Sequence, residues 1–377
     1  MPNPKIRFND FCDTWQKGNL KDLITLFYGK DHKALADGNY PVLGSGGVMR
    51  HIDSFLYDKP SVLIGRKGTI DKPQFINEPF WTVDTLFYTE IKAHCSPYFV
   101  FCLSQTINWK KYNEATGVPS LNSTGIYSIP VAFPAITEQQ KIADFLISVD
   151  TKISQLTEKH RLLKEYKKGV MQQIFSQQIR FKDENGKAFP EWTEFALKTL
   201  LILQSDSLDM QDDDTYELIT VKRGFGGVVS RGLFKGKDVL VKNQFTIHEN
   251  EFVISKRQIV HGACGLVPAS LEGAIVSNEY NVFRPEEKLL DIDYFNLLAS
   301  TPLMRKAFFI NSDGVHIEKL LFKTQSWLKT KVQLPCLEEQ QKITQFLQVI
   351  NQKIDAVAKQ LEQTKQFKKG LLQQMFV

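Results

Sequence analysis

Apolar residues recur at a strict 4-3 spacing in two stretches of the chain. In the first, Ile142, Leu146, Val149, Ile153, Leu156, His160, Leu163, Lys167, Val170 and Ile174 fall on one stripe. In the second, Ile343, Leu347, Ile350, Ile354, Val357, Leu361, Thr364, Lys368, Leu371 and Met375 do the same. This spacing is a heptad seam, so each stretch predicts a long α-helix that meets another helix. Lys167 and Lys368 interrupt the seam, and their neighbours Tyr166 and Phe367 are expected to supply the apolar contact there. Pro134 leads into the first helix, and Thr137 followed by Gln140 fits a capping box. Glu338 stands where Thr137 would be in the second copy, which predicts a weaker cap. Gly169 and Gly370 each cost a helix about 1 kcal/mol against alanine, and their identical placement predicts a close approach or a kink. The alternative is that each helix only covers its own domain, but a seam this long exceeds what one small domain buries.

The two stretches are copies. A constant shift of 201 aligns 133–175 with 334–376 without a gap, giving 17 identities in 43 positions. A shorter echo precedes each variable part. Ile6-Arg7-Phe8 returns at Ile179-Arg180-Phe181, and Trp15 with Leu20-Lys21 returns at Trp192 with Leu197-Lys198. One unit is therefore written twice, as a variable module followed by a long helix. The modules, 17–132 and 193–333, carry short β-rich runs such as Ser61–Ile64 and Phe252–Ser255, punctuated by Gly, Pro and Asn. The expected fold class is α/β (α+β), a pseudo-two-fold tandem repeat with boundaries at 1–136, 137–176, 177–336 and 337–377.

Composition narrows the picture only slightly. The formal charge is +5 over 377 residues. Residues 1–136 hold 14 basic against 12 acidic side chains and 190–337 hold 17 against 19, so charge permits nucleic-acid binding without demanding it. The five cysteines, Cys12, Cys95, Cys102, Cys264 and Cys336, lack C-x-x-C spacing and read as reduced, mostly buried thiols. The histidines show no metal-ligand spacing. No apolar run is long enough to span a bilayer, no signal segment opens the chain, and a cytoplasmic protein with no membrane partner is expected.

Several motifs bear chemistry. Gly44-Ser45-Gly46-Gly47 offers free backbone N–H groups to a phosphate or is an ordinary turn; it lacks the Gly-Lys-Ser/Thr of a Walker loop. Arg66-Lys67-Gly68-Thr69 follows an apolar strand, with Lys72 just beyond. Arginine fits the O6/N7 edge of guanine and lysine fits phosphate, although a solvated hairpin tip reads the same way. Trp81 lies in an apolar run and is expected in the core rather than stacked on a base. In the second module Lys256-Arg257-Gln258 and His261-Gly262 form the counterpart loop, with Gln258 able to pair with adenine. Ser277, Asn278 and Tyr280 end a further strand and suit contact or packing equally. Lys222-Arg223-Gly224-Phe225-Gly226-Gly227 is another basic, glycine-rich loop.

The layout of recognition module, long helix, recognition module, long helix resembles the DNA-specificity (S) subunit of Type I restriction-modification systems. The likeness covers nearly the whole chain. It is sharpest at the twin E-Q-Q-K-I helices with their K-K-G-x-x-Q-Q-x-F endings, at Ile64-Gly65-Arg66-Lys67-Gly68-Thr69-Ile70, at Phe80-Trp81-Thr82-Val83-Asp84-Thr85-Leu86-Phe87, at Ile254-Ser255-Lys256-Arg257-Gln258 and at residues 273–280. The resemblance implies two target-recognition domains held apart by two antiparallel coiled-coil helices. Each domain would read one half of a bipartite, asymmetric site on double-stranded DNA. It implies modification subunits, two in number, that methylate adenine with S-adenosylmethionine, and restriction/translocase subunits that use ATP and Mg2+. No cofactor would belong to this chain.

An enzyme reading has one foothold. Asp84 with Glu90-Ile91-Lys92 mimics the D…E-x-K pattern of metal-dependent nucleases, but the spacing is short and Asp84 lies inside a family-like run. No Asn/Asp-Pro-Pro-Tyr/Phe methyltransferase motif occurs, so the chain is expected to be non-catalytic. A coiled-coil scaffold carrying carbohydrate- or protein-binding modules is the other alternative. Salt-sensitive, sequence-selective DNA binding separates the two.

Overall fold

The computed structural model describes residues 4–316 and 320–376. The chain divides into two compact units, one made of 1–160 with 356–377 and the other of 161–355.

In the first unit a four-stranded antiparallel sheet orders the strands Ile24–Tyr28, Leu86–Ile91, Ser61–Gly65 and Gln74–Ile76. Ser61–Gly65 is buried at every position, as expected of an inner strand whose two faces are both covered. A smaller sheet places Gly47–Ile52, Asp37–Gly44 and Trp81–Thr82 side by side. The strand Gln16–Asn19 pairs with Pro130–Phe133, closing the module just before its long helix begins. The helix Pro97–Thr106 packs Phe99, Val100 and Leu103 into the core together with Trp15 and Trp109.

The second unit repeats the scheme with different side chains. Its four-stranded sheet orders Leu201–Gln204, Tyr280–Pro285, Phe252–Ser255 and Cys264–Leu266, which is the same sequence of positions. A five-stranded sheet takes the outer place, and Thr193–Ala196 pairs with Lys331–Leu334 as the closing pair. Tyr294, Phe295, Phe308 and Trp327 fill the core.

The two long helices run Ile136–Phe175 and Leu337–Met375. In the first unit Ile142, Leu146 and Val149, from the start of one helix, share a core with Leu371 and Met375, from the end of the other. In the second unit Val170 and Ile174 share a core with Ile343, Leu347, Ile350 and Ile354. Start meets end in both units, so the helical segments pair antiparallel along the predicted seam.

Three local expectations need correction. Tyr166 and Phe367 do not fill the seam; they are 53% and 55% exposed. The lysines themselves face inward. Lys368 Nζ lies 2.8 Å from Asp150 Oδ1 across the helix pair, and Lys167 is half-buried, its pKa lowered by desolvation against the pull of Asp355. Asp150 on the opposite helix pairs the Lys368 ammonium, and Asp355 offsets part of the burial cost at Lys167, so no apolar substitute is required. The first helix begins at Ile136, which puts Thr137 inside the first turn instead of at the cap; the Ala135 carbonyl accepts the N–H groups of Glu138 and Gln139. At Gly169 an added Cβ would touch nothing within 4 Å, so no close approach requires glycine there.

The three buried cysteines, Cys95, Cys102 and Cys264, are free thiols whose pKa burial raises, Cys95 to about 11 and Cys102 to about 12.

Candidate nucleic-acid interface

Each module is fixed to the start of its own helix by a buried polar hub. Glu138 accepts hydrogen bonds from Arg7 Nε and Nη2, both at 2.7 Å, and from Trp15 Nε1 at 3.2 Å. Gln139 accepts from the Ser96 N–H at 3.0 Å and donates to the Pro134 carbonyl at 2.9 Å. In the second copy Glu339 accepts from Arg180 Nε and Nη2 at 2.9 and 3.0 Å and from Trp192 Nε1 at 3.3 Å. Gln340 accepts from the Asp291 N–H and donates to the Pro335 carbonyl. A carboxylate this deeply buried requires a charged, bidentate partner. The hub explains why both E-Q-Q runs and both Ile-Arg-Phe and Trp echoes recur.

In the first module the nominated residues converge. Gly44-Ser45-Gly46-Gly47 is the turn of the hairpin between Asp37–Gly44 and Gly47–Ile52. A Cβ at Gly68 would stand 3.2 Å from Ser45 Oγ, so this turn touches the Arg66-Lys67-Gly68-Thr69 loop. The Arg66 and Lys67 N–H groups both donate to the Thr85 carbonyl, at 2.8 and 3.2 Å. Arg66 is half-buried, donates from Nη1 to the Asp84 carbonyl at 3.0 Å and lies over the Tyr28 ring at 5.3 Å. Lys67 and Lys72 are exposed. An open cleft of about 730 Å3 is lined by the Gly44–Gly47 turn and by Val83–Thr85, and Lys30 and Lys33 stand on its wall. Those two lysines were missed in the sequence, although Lys30-Asp31-His32-Lys33 is a short polar run that could have drawn notice. Trp81 is half-buried and donates Nε1–H to the Lys30 carbonyl at 2.9 Å, which leaves its edge committed to packing.

The nuclease-like pattern does not assemble. Asp84 lies in the turn before the strand Leu86–Ile91, and Glu90 stands near the strand's far end, about 13 Å of extended chain beyond Leu86 at ~3.3 Å per residue.

In the second module four segments meet. Lys256 N–H donates to the Glu279 carbonyl and Lys256 Nζ to the Asn278 carbonyl at 2.5 Å. Arg257 is exposed but paired, with Nε 2.7 Å from Glu279 Oε2, and this bond raises its pKa further. Gln258 turns its Oε1 inward, where it is buried. Lys222–Gly227 is the turn between Thr215–Val221 and Val228–Lys235. It is tied to the neighbouring loop by Gly224 N–H to the His261 carbonyl at 2.7 Å and Phe225 N–H to the Gly262 carbonyl at 2.8 Å. Ser277 accepts the Glu279 N–H, Asn278 is exposed, and Tyr280 packs against the outer core, its pKa raised by burial. Lys222 and Arg223 are exposed in this turn. Arg305 also belongs here, with its guanidinium 4.5 Å from the centre of the Phe225 ring. No sequence signal marks it, because Arg305 lies in an apolar helical run some 80 positions from Phe225.

Two modules of one topology, each with a cation-bearing loop cluster and each bound to its own helix, define a tandem macromolecule-recognition protein. The family model of the Type I restriction modification DNA specificity domain matches residues 12–165 and again 191–366. The chain therefore belongs to the Type I restriction-modification DNA-specificity family, and its role is recognition of DNA sequence. It is similar to the Type I restriction enzyme MjaVIII specificity subunit of Methanocaldococcus jannaschii, with 25% identity over 96% of this chain and 91% of that one. It is also similar to the putative MjaX specificity subunit of the same organism, with 24% identity over 93% and 82%. In fold it matches the S subunit of the Type I system of M. genitalium, at TM-score 0.65 and 13% identity over 100% and 99% of the two chains. A chain from a structure concerned with assembly and conformational transition of the type I R-M system matches at TM-score 0.54 and 13% identity, over 95% and 96%. Among the described residues no helix is long and apolar enough to cross a membrane.

Proposed function

We propose that this specificity subunit reads a bipartite, asymmetric site on double-stranded DNA, one half through each module. It docks two modification subunits that methylate adenine, together with restriction/translocase subunits, in the cytoplasm. S-adenosylmethionine, ATP and Mg2+ enter through those partners, and this chain contributes recognition without catalysis. One observation carries the reading: both modules repeat the order of their four-stranded sheet and the same buried hub but present different side chains at their loop clusters. Equal frames suit the approximate dyad of duplex DNA, and unequal loops suit two different half-sites.

The test is selection from a random duplex pool by the complex of this chain with its modification subunit. Enrichment of two unlike half-sites around an unread gap, with affinity that falls steeply as salt rises, is the expected result. Equal binding to every duplex, or enrichment of one continuous motif, would remove the proposal.

A further inference from the structure

We infer that Arg305, rather than Arg257, is the residue through which the second module reads a guanine; this rests on the proposed reading of DNA by that module.

Phe225 occupies a strained position in the Lys222–Gly227 turn. Its φ is +60°, a region that a bulky non-glycine residue seldom adopts, and such strain persists only where the surroundings impose it. The surroundings do impose it. Glycines at φ +68° and at φ +78° flank the position as Gly224 and Gly227, and the Phe225 N–H is fixed to the Gly262 carbonyl. Gly262 itself lies at φ +73°, and a Cβ there would come within 2.7 Å of the Phe225 ring. The loop thus holds one aromatic ring in a set place, and what stands over that ring is the Arg305 guanidinium.

Arg305 is exposed, and its Nε donates to the Ser300 carbonyl at 3.0 Å. The ring fixes the guanidinium plane and the carbonyl fixes its rotation. Neither device uses the two terminal nitrogens, and a pair of such donors is the arrangement that matches guanine O6 and N7. Arg66 in the first module likewise has an aromatic face, from Tyr28, and a backbone carbonyl, from Asp84, although there the carbonyl takes Nη1 and not Nε. Arg257 differs in that its guanidinium faces the Glu279 carboxylate, an exposed pair that a base contact would have to displace. Its role is to fasten the 256–258 loop to the 277–280 turn.

The experiment uses the full chain in complex with its modification subunit, on a duplex carrying the selected site. Each guanine of the second half-site is replaced in turn by 7-deazaguanine, which lacks the N7 acceptor. One replacement should weaken wild-type binding about ten- to a hundred-fold. Arg305→Ala should lose a similar factor on the natural site and be indifferent to that replacement, with the first half-site still read. Arg305→Lys should behave like Arg305→Ala, since it keeps the charge and loses the fork, and it serves as the control for folding. Arg257→Ala should retain sensitivity to 7-deazaguanine. Full sensitivity in Arg305→Ala, or an equal loss on all sequences including unrelated duplex, would overturn the assignment. Failure of the wild-type complex to prefer any sequence would instead remove the proposed function, and the assignment with it.

Discussion

Glu138 takes both forks of the Arg7 guanidinium at 2.7 Å, across 131 positions of sequence. The pair joins the N-terminal segment to the first turn of the long helix and is 14% and 3% exposed at its two side chains. Breaking a buried pair by removing one partner leaves an uncompensated charge. Arg7→Met should therefore cost about 3 kcal/mol of stability, and Arg180→Met a similar amount through Glu339. Urea unfolding at neutral pH measures it. A loss below about 0.5 kcal/mol would show the hub to be incidental, since that is the scale of an exposed pair.

The lysines of the helix seam should respond in opposite directions. Lys368→Met strips Asp150 of its cation, leaving only the Tyr98 hydroxyl, and should destabilise the protein by about 1–3 kcal/mol. Lys167→Met removes an ammonium that burial already disfavours and should be neutral or stabilising. Thermal melting of the two variants side by side decides it, and equal losses would contradict the assignment.

How far the sequence revealed this architecture follows from what kind of signal each feature leaves. The helices were legible because heptad spacing is local and was written twice. The E-Q-Q runs were legible as a repeat but not as a hub, since Arg7 and Trp15 approach Glu138 only through folding. Tyr166 and Phe367 were misread because an aromatic beside a seam lysine looks like its substitute, until Asp150 and Asp355 appear on the facing helix. The loops at Arg66 and Lys256 carry turn signals and were found. Arg305 carries none, and its place depends on a ring held at positive φ in a distant turn.

At the first loop cluster, arginine and lysine should separate base reading from phosphate binding. Arg66→Ala is expected to weaken specific binding by about 1–3 kcal/mol and to relax one position of the first half-site. Lys67→Ala, exposed at the tip, should weaken binding to all sequences and reduce the salt slope by about one. Titration against specific and unrelated duplexes over a range of salt distinguishes them; identical behaviour of the two variants would return both residues to a solvated hairpin tip.

The helix pair is expected to act as a ruler. Four residues inserted in the exposed stretch 157–159 lengthen one helix by about 6 Å. With DNA rising ~3.4 Å per base pair, the unread gap should grow by one or two base pairs. The insertion is a stutter that locally unwinds the seam, so some loss of affinity accompanies the longer gap. An active complex with an unchanged gap would show that something other than the helices sets the spacing.

The most direct measurement is the map of methylated adenines in cells that express this chain with its modification subunit, made for the natural chain and for one whose residues 17–132 come from another family member. The account predicts two unlike half-sites around a fixed gap, with the exchange altering one half and leaving the other and the gap intact. A continuous methylated motif, or a change in both halves on exchanging one module, would contradict it.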